Sequence, residues 1–431
     1  MTRTAIELWG TEIGMLQLDD NERIASFEYT ENFIQSGIQI APLTMPLSRM
    51  VYRFPTLSYD TFKGLPGIFA DSLPDKFGND VINEWLRSQG RPIDSLNALE
   101  RLCYTGKRGM GALEYKPQMG GVPSQSQKLQ VEELVGLASQ VLDARKRLDT
   151  VLSTQITDEL LKIVQVGTSA GGARAKALIA WNPITNEVRS GQIKAPEEFS
   201  YWLIKFDGIS SNGDHGLVDP QGYGKIEYAY YLMARDANIT ISECRLFEEH
   251  GRNHFMTKRF DRTDSGNKLH MASLGGLKHY DYNDTGVNSY EDAVACIYNL
   301  GLGTIVAEEL FRRMAFNIVT RNQDDHVKNI SFLMDRTGAW NLAPAYDITF
   351  SYRPDGEWVH HQMSMNGKRD GFTQEDFKTC ANNMRLPRGA YRRILEEVEL
   401  AASHWLDHAA SAEVPQQTAE IIKKQFRHFL V

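Results

Sequence analysis

The sequence contains few cysteines, and none of them lie close together. The 431 residues include only 4 cysteines, at Cys103, Cys244, Cys296 and Cys380. No C-x-x-C pair occurs, and such wide spacing argues against a zinc site or a redox motif. We therefore expect a reduced protein of the cytoplasm.

The sequence also lacks a long apolar run and an excess of positive charge. A membrane-spanning helix needs about 18 consecutive apolar residues, and no such stretch is present. The N-terminal M-T-R-T-A-I-E-L-W-G has no apolar core of a signal peptide. These absences predict a cytoplasmic protein without a membrane partner. The net charge is −8, from 47 basic and 55 acidic residues, which argues against coating nucleic acid through bulk charge.

Internal repeats are absent as well, and the composition is that of a multidomain globular chain. Hydrophobic residues make up 42% and charged residues 24% of the sequence, which are ordinary values. The segment 117–127, P-Q-M-G-G-V-P-S-Q-S-Q, predicts a linker because it is rich in Pro, Gly, Ser and Gln. We expect an α+β fold with a β-rich N-terminal subdomain over 1–117, a nucleotide-binding lobe over 128–262 and a mostly helical lobe over 263–431.

The most informative stretch of the sequence runs from residue 320 to residue 350. Asp324 stands five residues before Asn329, and Asp347 follows after a predicted hairpin. Phosphoryl transfer from a nucleotide needs one carboxylate for the acceptor hydroxyl, and an amide with a second carboxylate for magnesium. The stretch therefore predicts a two-lobed, protein kinase-like phosphotransferase that uses Mg-ATP. A solvated acidic loop and a turn-capping aspartate are the alternatives for the two acids.

A glycine-rich segment precedes this stretch by about 150 residues. It reads V-G-T-S-A-G-G-A-R-A-K-A-L-I-A-W over 166–181. Backbone N–H groups beside glycine can approach phosphates without a Cβ clash. Lys176 is followed by Ala177 and a strand-like run, so the segment is not a Walker A loop. Kinases cover phosphates with a strand, glycine loop and strand, although a glycine turn in a plain hairpin fits equally well.

A single lysine, Lys205, stands in the apolar strand predicted over 197–208. Burying an unpaired ammonium is unfavourable, so Lys205 needs a phosphate, a carboxylate or a route to solvent at the strand end. Glu227, in the first turn of the helix predicted over 225–237, either pairs with Lys205 or stabilises the helix dipole. The strand 254–262 then breaks into polar residues, where a hinge between lobes would offer backbone groups to adenine.

With these motifs, the chain resembles the HipA family of serine/threonine kinases, the toxins of HipA–HipB toxin–antitoxin modules. The resemblance covers most of the chain. In the C-terminal part it rests on T-S-A-G-G-A-R-A-K (168–176), W-L-I-K (202–205), K-R-F-D-R (258–262), D-D-H-V-K-N-I-S (324–331) and A-P-A-Y-D-I (343–348). In the N-terminal part it rests on F-A-D-S-L-P-D (69–75) and G-M-G-A-L (109–113).

The resemblance implies a role for individual positions. Asp324 would be the catalytic base, since its spacing to Asn329 favours it over Asp325, while Asn329 and Asp347 would bind Mg²⁺. Ser169 would be an autophosphorylated serine whose modification ejects the loop and switches the kinase off. The positions expected to contact ATP are Gly171, Gly172, Ala173, Arg174, Ala175, Lys176, Lys205, Lys258, Arg259, Phe260, His326, Val327, Lys328, Asn329, Tyr346 and Asp347.

The resemblance also implies partners. It predicts a toxin that phosphorylates a translation-related protein, such as an aminoacyl-tRNA synthetase. A HipB-like helix-turn-helix antitoxin would bind the chain and carry most of the contact with operator DNA. Two alternatives stay open, namely a small-molecule kinase of the aminoglycoside or choline type, and a pseudokinase that acts as co-repressor with a DNA-bound antitoxin. Basic residues within 387–393 would either face DNA or form a solvated helix face.

Overall fold

The computed structural model describes residues 2–19, 21–119, 128–146, 174–191, 194–209, 222–354 and 359–430. Within these ranges the chain forms three sheets surrounded by helices. None of the helices in the described ranges is long and apolar enough to cross a membrane.

A five-stranded antiparallel sheet, in the order β4-β3-β2-β1-β5, forms the N-terminal part. Its strands are β1 (Thr2–Leu8), β2 (Thr11–Asp19), β3 (Ile24–Tyr29), β4 (Tyr52–Arg53) and β5 (Leu113–Lys116). The flanking helices are Glu31–Ile34, Tyr59–Phe62, Gly67–Ala70, Lys76–Ser88 and Ala98–Thr105. Alternate residues of β1, such as Ile6 and Leu8, face the core. Within this β-rich part, the Thr30 hydroxyl caps the short helix Glu31–Ile34.

A second antiparallel sheet has six strands in the order β10-β11-β9-β7-β8-β6. The strands are β6 (Lys128–Leu129), β7 (Lys176–Asn182), β8 (Glu187–Ser190), β9 (Ser200–Lys205), β10 (Cys244–Glu249) and β11 (Arg252–Lys258). Two helices, Val131–Lys146 and Tyr223–Asp236, accompany this sheet. Every residue of β7 is buried, which fits a central strand read as a continuous apolar run.

The C-terminal part is mostly helical, as expected, with a small sheet β12-β13-β14 at the site. Its strands are β12 (His270–Ser273), β13 (Ser331–Met334) and β14 (Trp340–Leu342). Its helices are Leu274–Lys278, Tyr290–Asn299, Thr304–Thr320, Gln374–Asn383, Ala390–Ser403, Trp405–Ser411 and Gln416–Lys423, with a 3-10 turn at Val327–Asn329. The apolar stripe predicted before Asp324 lies on the buried helix Thr304–Thr320.

The last three helices are separated by short breaks. The first of them ends at His404, where the buried Trp405 turns inward and its indole N–H donates to Ala419 O at 2.8 Å. The last helix ends at Lys423. There the backbone leaves the helix, and Arg427 N donates to Val319 O at 2.9 Å.

One continuous apolar core joins the N-terminal sheet to the helical lobe, while the six-stranded sheet has a core of its own. The helices Gly67–Ala70 and Leu274–Lys278 cross where glycines face each other. A Cβ added to Gly67 would lie 2.6 Å from Gly276 O, so only glycine permits this approach. The contact carries the N-terminal loop 71–75 to the edge of the helical lobe. The domain boundaries given above stay predictions.

Candidate active site

A cleft of about 1370 Å³ lies where the six-stranded sheet, the helical lobe and the N-terminal loop 71–75 meet. It is lined by many of the residues predicted from sequence, namely Lys205, Lys258, Arg259, Phe260, Asp324, His326, Lys328, Asn329, Tyr346 and Asp347. These residues span more than 140 positions of the chain and come from strand ends and the loops that follow them. Ser169, Gly171, Gly172 and Ala173 lie outside the described residues.

Lys205, at the end of β9, is the centre of the ion pairs in the cleft. Its Nζ donates to Glu227 Oε1 at 2.5 Å and also to Asp347 Oδ1. Of the two readings of Glu227, the structure therefore has the one in which it pairs with Lys205. The lysine side chain is only 9% exposed, so both carboxylates neutralise an ammonium that would otherwise be buried alone.

The charges of this group stabilise one another. Burial by itself would lower the pKa of Lys205, but Asp347 and Glu227 outweigh it and raise that pKa above its ordinary value. Burial likewise would raise the pKa of Asp347, yet Lys205 and Lys176 hold it below the usual range. Lys205 is thus an ammonium and Asp347 a carboxylate at neutral pH, the states needed to bind a phosphate and a cation.

Asp347 has an unusual backbone. Its φ is 52°, in the left-handed region that non-glycine residues seldom adopt, Asp and Asn being the commoner exceptions. Strained conformations of this kind cluster at functional sites. The preceding Tyr346 is fixed through its hydroxyl, which lies 2.6 Å from Ser331 Oγ and 2.5 Å from Lys328 O. The tyrosine therefore ties the Asp347 segment to residues 328–331, at the end of the loop that carries Asp324 and Asn329.

The loop 324–329 is closed by a hydrogen bond between its two ends. Asn329 Nδ2 donates to the backbone oxygen of Asp324 at 2.8 Å, which leaves Asn329 Oδ1 as the amide atom suited to a cation. His326 Nε2 lies 3.8 Å from Asp324 Oδ1. Burial lowers the pKa of His326, so the imidazole is neutral at pH 7. The loop presents a carboxylate, a neutral imidazole and an amide to the cleft.

Asp325, the acid next to Asp324, faces away from the cleft. It is 3% exposed and accepts hydrogen bonds from the Tyr290 hydroxyl and from Gln362 N. The choice of Asp324 over Asp325, made from the spacing to Asn329, agrees with this burial because a buried, fully bonded carboxylate cannot reach an acceptor hydroxyl.

The predicted hinge segment, 258–262, makes several of its polar contacts within the protein. Arg259 is buried, and its guanidinium donates to both carboxylate oxygens of Asp261 at 2.9 and 2.7 Å and to Gly109 O at 3.2 Å. The N–H groups of Lys258 and Arg259 donate to Glu243 O and Tyr201 O. These groups of Lys258 and Arg259 are therefore already used within the protein, while the ring of Phe260 lines the cleft and lies 5.4 Å from that of Tyr346.

The described end of the glycine-rich loop is held by ion pairs. Arg174 Nη1 lies 3.5 Å from Glu227 Oε2, and its guanidinium covers the ring of Tyr223 at 4.2 Å. Ala175 O accepts a hydrogen bond from Phe206 N at 3.0 Å, which joins the loop end to the strand of Lys205. Val327, predicted to contact ATP, is 1% exposed and packs into the main core.

Two acids of the N-terminal loop were missed by the sequence reasoning. Asp75 Oδ2 pairs with the buried Lys176 at 3.1 Å, and Asp71 accepts from Ser273 N and Oγ at 2.7 and 2.8 Å. Burial raises the pKa of both carboxyls. The L-P-D motif gave a signal, but no spacing rule links position 75 to position 176. The N-terminal subdomain thus contributes charge to the cleft.

The chemistry of the donor set fits magnesium bound together with phosphates. In the described ranges, no group of three or more His, Cys, Asp or Glu side chains forms a metal cluster. Mg²⁺ at kinase sites usually takes one or two protein ligands and completes its shell with phosphate oxygens and water. Asn329 and Asp347 both line the cleft, and the Asn329 Oδ1 atom and the Asp347 carboxylate have the chemistry of such ligands.

Comparison with known proteins gives matches along most of the chain. The family model described as HipA N-terminal domain matches residues 4–116, and the HipA-like C-terminal domain matches residues 168–405. A curated Haemophilus influenzae protein named "Putative kinase" is 26% identical over 160 residues, which are 33% of this chain and 47% of that protein. The chain therefore spans about half the length of that relative.

Solved structures give the fold. The Shewanella oneidensis HipA, solved with HipB and operator DNA, superposes with a TM-score of 0.67 at 17% identity, covering 98% of this chain and 95% of that one. The Helicobacter pylori kinase CtkA gives a TM-score of 0.32 at 14% identity, covering 53% of this chain and 90% of that one. The predicted α+β, kinase-like class of fold is confirmed.

Proposed function

The chain belongs to the HipA family, and from this premise we propose that it is an ATP-dependent serine/threonine protein kinase that acts as the toxin of a toxin–antitoxin pair. The observation that carries the proposal is the bridging of Glu227 and Asp347 by Lys205, in the same cleft as Asp324 and Asn329. A lysine paired with a helix glutamate, a base and an Asn–Asp cation site are the working parts of a kinase.

The residues of the cleft divide the work of phosphoryl transfer. Lys205 is the cation for the nucleotide phosphates, and Glu227 holds it in place. Asn329 Oδ1 and the Asp347 carboxylate would hold Mg²⁺, which supplies positive charge against the phosphates when bound. The contact between the Asp347 carboxylate and Lys205 supports a phosphate site next to a cation site.

Asp324 is the base in this proposal. Its carboxylate accepts the proton of the acceptor hydroxyl while the hydroxyl oxygen forms the new bond to the γ-phosphorus. The bond from that phosphorus to the bridging oxygen of ADP breaks, and ADP leaves with the electron pair. The neutral His326 beside Asp324 adds no charge of its own, so it does not weaken the base.

The acceptor and the partners follow from the family and from one relative. We propose a translation-related protein, such as an aminoacyl-tRNA synthetase, as the acceptor, and Ser169 as a site of autophosphorylation that switches the enzyme off. The Shewanella HipA was solved with HipB and operator DNA, which supports a HipB-like antitoxin as the partner here. Operator DNA would be contacted mainly through that antitoxin.

Transfer of a labelled γ-phosphate tests the proposal against its alternatives. The wild-type chain and Asp324→Asn are incubated with Mg²⁺ and γ-labelled ATP in a cell lysate, and protein and small-molecule fractions are counted. We expect label on protein with the wild type and none above background with the variant. Label on metabolites alone would instead indicate a small-molecule kinase, and ATP binding without any transfer would indicate a pseudokinase.

Growth gives the test of the toxin role. Expression of the wild type without an antitoxin should slow growth, whereas Asp324→Asn should not. Coexpression of the small helix-turn-helix protein encoded next to this chain, if one is present, should restore growth. Unimpaired growth with an active wild-type kinase would remove the toxin role while leaving the enzyme in place.

A further inference from the structure

The acid next to the catalytic base anchors a buried hydrogen-bond network. Asp325 is 3% exposed. Its Oδ2 accepts from the Tyr290 hydroxyl at 2.7 Å and lies 2.8 Å from His361 Nδ1, while its Oδ1 accepts from Gln362 N at 2.8 Å. Three donors on one buried carboxylate form a strong, directional anchor, because hydrogen bonds to an ionised group are about twice as strong as neutral ones.

His361 is a second fixed point of the network. It is fully buried, and its Nδ1 faces Asp325 Oδ2 at 2.8 Å. The backbone of His361 is fixed as well, since its N–H donates to Arg369 O at 3.1 Å and its carbonyl accepts from Arg369 Nε at 2.6 Å.

The network continues from Tyr290 to the other side of the catalytic base. Asn317 Nδ2 donates to the Tyr290 hydroxyl, and Asn322 Nδ2 donates to Asn317 Oδ1, both at 3.0 Å. Asn322 Oδ1 in turn accepts from Ser351 Oγ at 3.2 Å. Buried side chains at positions 322 and 325 thus clamp the backbone on both sides of Asp324.

The same chain of bonds reaches the segment that follows the magnesium ligand. Ser351 stands four residues after Asp347, and its N–H donates to Arg321 O at 3.1 Å. One network therefore joins the loop of the base, the segment that follows Asp347 and the segment of His361. Fixing those three segments fixes the separation between base and cation site, which phosphoryl transfer requires.

We propose that Asp325 is a positioning residue that holds Asp324 at the transfer geometry through Tyr290 and His361. This inference rests on the proposed function, because it assumes that Asp324 is the base. The two neighbouring acids then have separate roles: Asp324 acts in the cleft as the base, and Asp325 fixes the loop from within the core. Asp324 lines the cleft while Asp325 is buried, so the pair serves both roles at once.

The test compares the rate of autophosphorylation with the affinity for ATP. The rate is followed by intact mass after mixing with Mg-ATP, and affinity is measured with a non-hydrolysable ATP analogue. Asp325→Asn should slow transfer on the order of 100-fold, the loss expected from a misplacement of about 1 Å, with the analogue's Kd changed less than about twofold. Tyr290→Phe removes one donor, so it should slow transfer less and still fold.

A matched control separates positioning from general destabilisation. Asp376 is also buried, and its carboxylate accepts from Thr373 N, Asn366 Nδ2 and Lys368 Nζ at 2.8 to 2.9 Å, in the helix Gln374–Asn383 outside the cleft. Asp376→Asn should lower the unfolding temperature and leave the transfer rate of the folded protein unchanged. Equal slowing by Asp376→Asn, or a normal rate in Asp325→Asn, would overturn the proposal.

Failure of the proposed function is recognised separately. If the wild type transfers no phosphate, the kinase reading falls, and hydrogen exchange then decides the structural part of the inference. Asp325→Asn should release the Gln362 amide and the backbone around residues 322–326 to exchange. Retained protection at those amides would show that Asp325 does not fix the loop, and would overturn the positioning role as well.

Discussion

Asp261 joins the hinge to the N-terminal subdomain, and its replacement by Asn should destabilise the protein strongly. Asp261 is fully buried and accepts from Arg259 at 2.9 and 2.7 Å, from Arg262 Nη1 at 2.7 Å and from Gly111 N at 2.7 Å. The variant leaves two buried guanidinium groups without their anion. Removing one partner of a buried ion pair costs about 3 to 5 kcal/mol, which is our expected loss of unfolding free energy.

The effect should depend on pH in a defined direction. Burial would raise the pKa of Asp261, but Arg259 and Arg262 outweigh it and hold the pKa well below its usual range. Because the pKa of Asp261 is lower in the folded than in the unfolded state, its carboxylate stabilises the fold fully above the unfolded-state pKa of about 3.9. This stabilisation is lost as the pH falls from there toward the lower folded-state pKa. The difference between wild type and Asp261→Asn should therefore be constant from pH 5 to 8 and shrink toward pH 3.

Urea unfolding followed by tryptophan fluorescence measures the loss, with an exposed aspartate as the control. Asp264 lies three residues further on, is 95% exposed and pairs with Lys258 at 3.1 Å. Asp264→Asn should cost at most about 1 kcal/mol, as solvated ion pairs do. A similarly small loss for both variants would refute the idea that Asp261 joins the two parts. Faster amide exchange at Gly111 in Asp261→Asn alone would support it.

Three further predictions concern the cleft, a glycine contact and the thiols. Lys205→Met leaves Glu227 and Asp347 without the cation that they share, so kcat should fall about 100-fold or more. Near-normal turnover would contradict the proposed role of Lys205. Gly276→Ala places a Cβ 2.2 Å from an Asp71 oxygen, so it should lower the unfolding free energy by about 1 to 3 kcal/mol. Gly136→Ala is the control, because its Cβ meets no atom within 4 Å, and it should not lower the unfolding free energy. Burial raises the pKa of the Cys244 and Cys296 thiols to about 12, so a disulfide reagent should label them only on unfolding, and rapid labelling of folded protein would be inconsistent with this.

The sequence predicts the residues proposed to carry the chemistry better than the contacts that hold those residues in place. Asp324, Asn329 and Asp347 follow from the groups that phosphoryl transfer needs, and Lys205 follows from the unfavourable burial of a lone ammonium. The structure brings all four to one cleft. Their catalytic roles stay predictions, since contact geometry alone does not report turnover.

The supporting contacts arise from tertiary packing, which local patterns do not encode. The pairing of Asp75 with Lys176 joins residues about 100 positions apart. Arg259 looks like a hinge residue in sequence, yet its guanidinium is used by Asp261 and Gly109. No proline or glycine marks the helix break at His404 in the sequence, and the break depends on the burial of the next residue, Trp405. Such contacts can be identified only from the folded structure.

The central claim is that the protein transfers phosphate from Mg-ATP with Asp324 as the base, and intact mass spectrometry tests it most directly. Purified wild type, Asp324→Asn and Ser169→Ala are each incubated with Mg-ATP and weighed. The proposal predicts one added phosphoryl group on the wild type, none on Asp324→Asn, and loss of that modification in Ser169→Ala. A wild type that binds ATP but gains no mass, or an Asp324→Asn protein that gains as much, would contradict the assignment of Asp324 as the base.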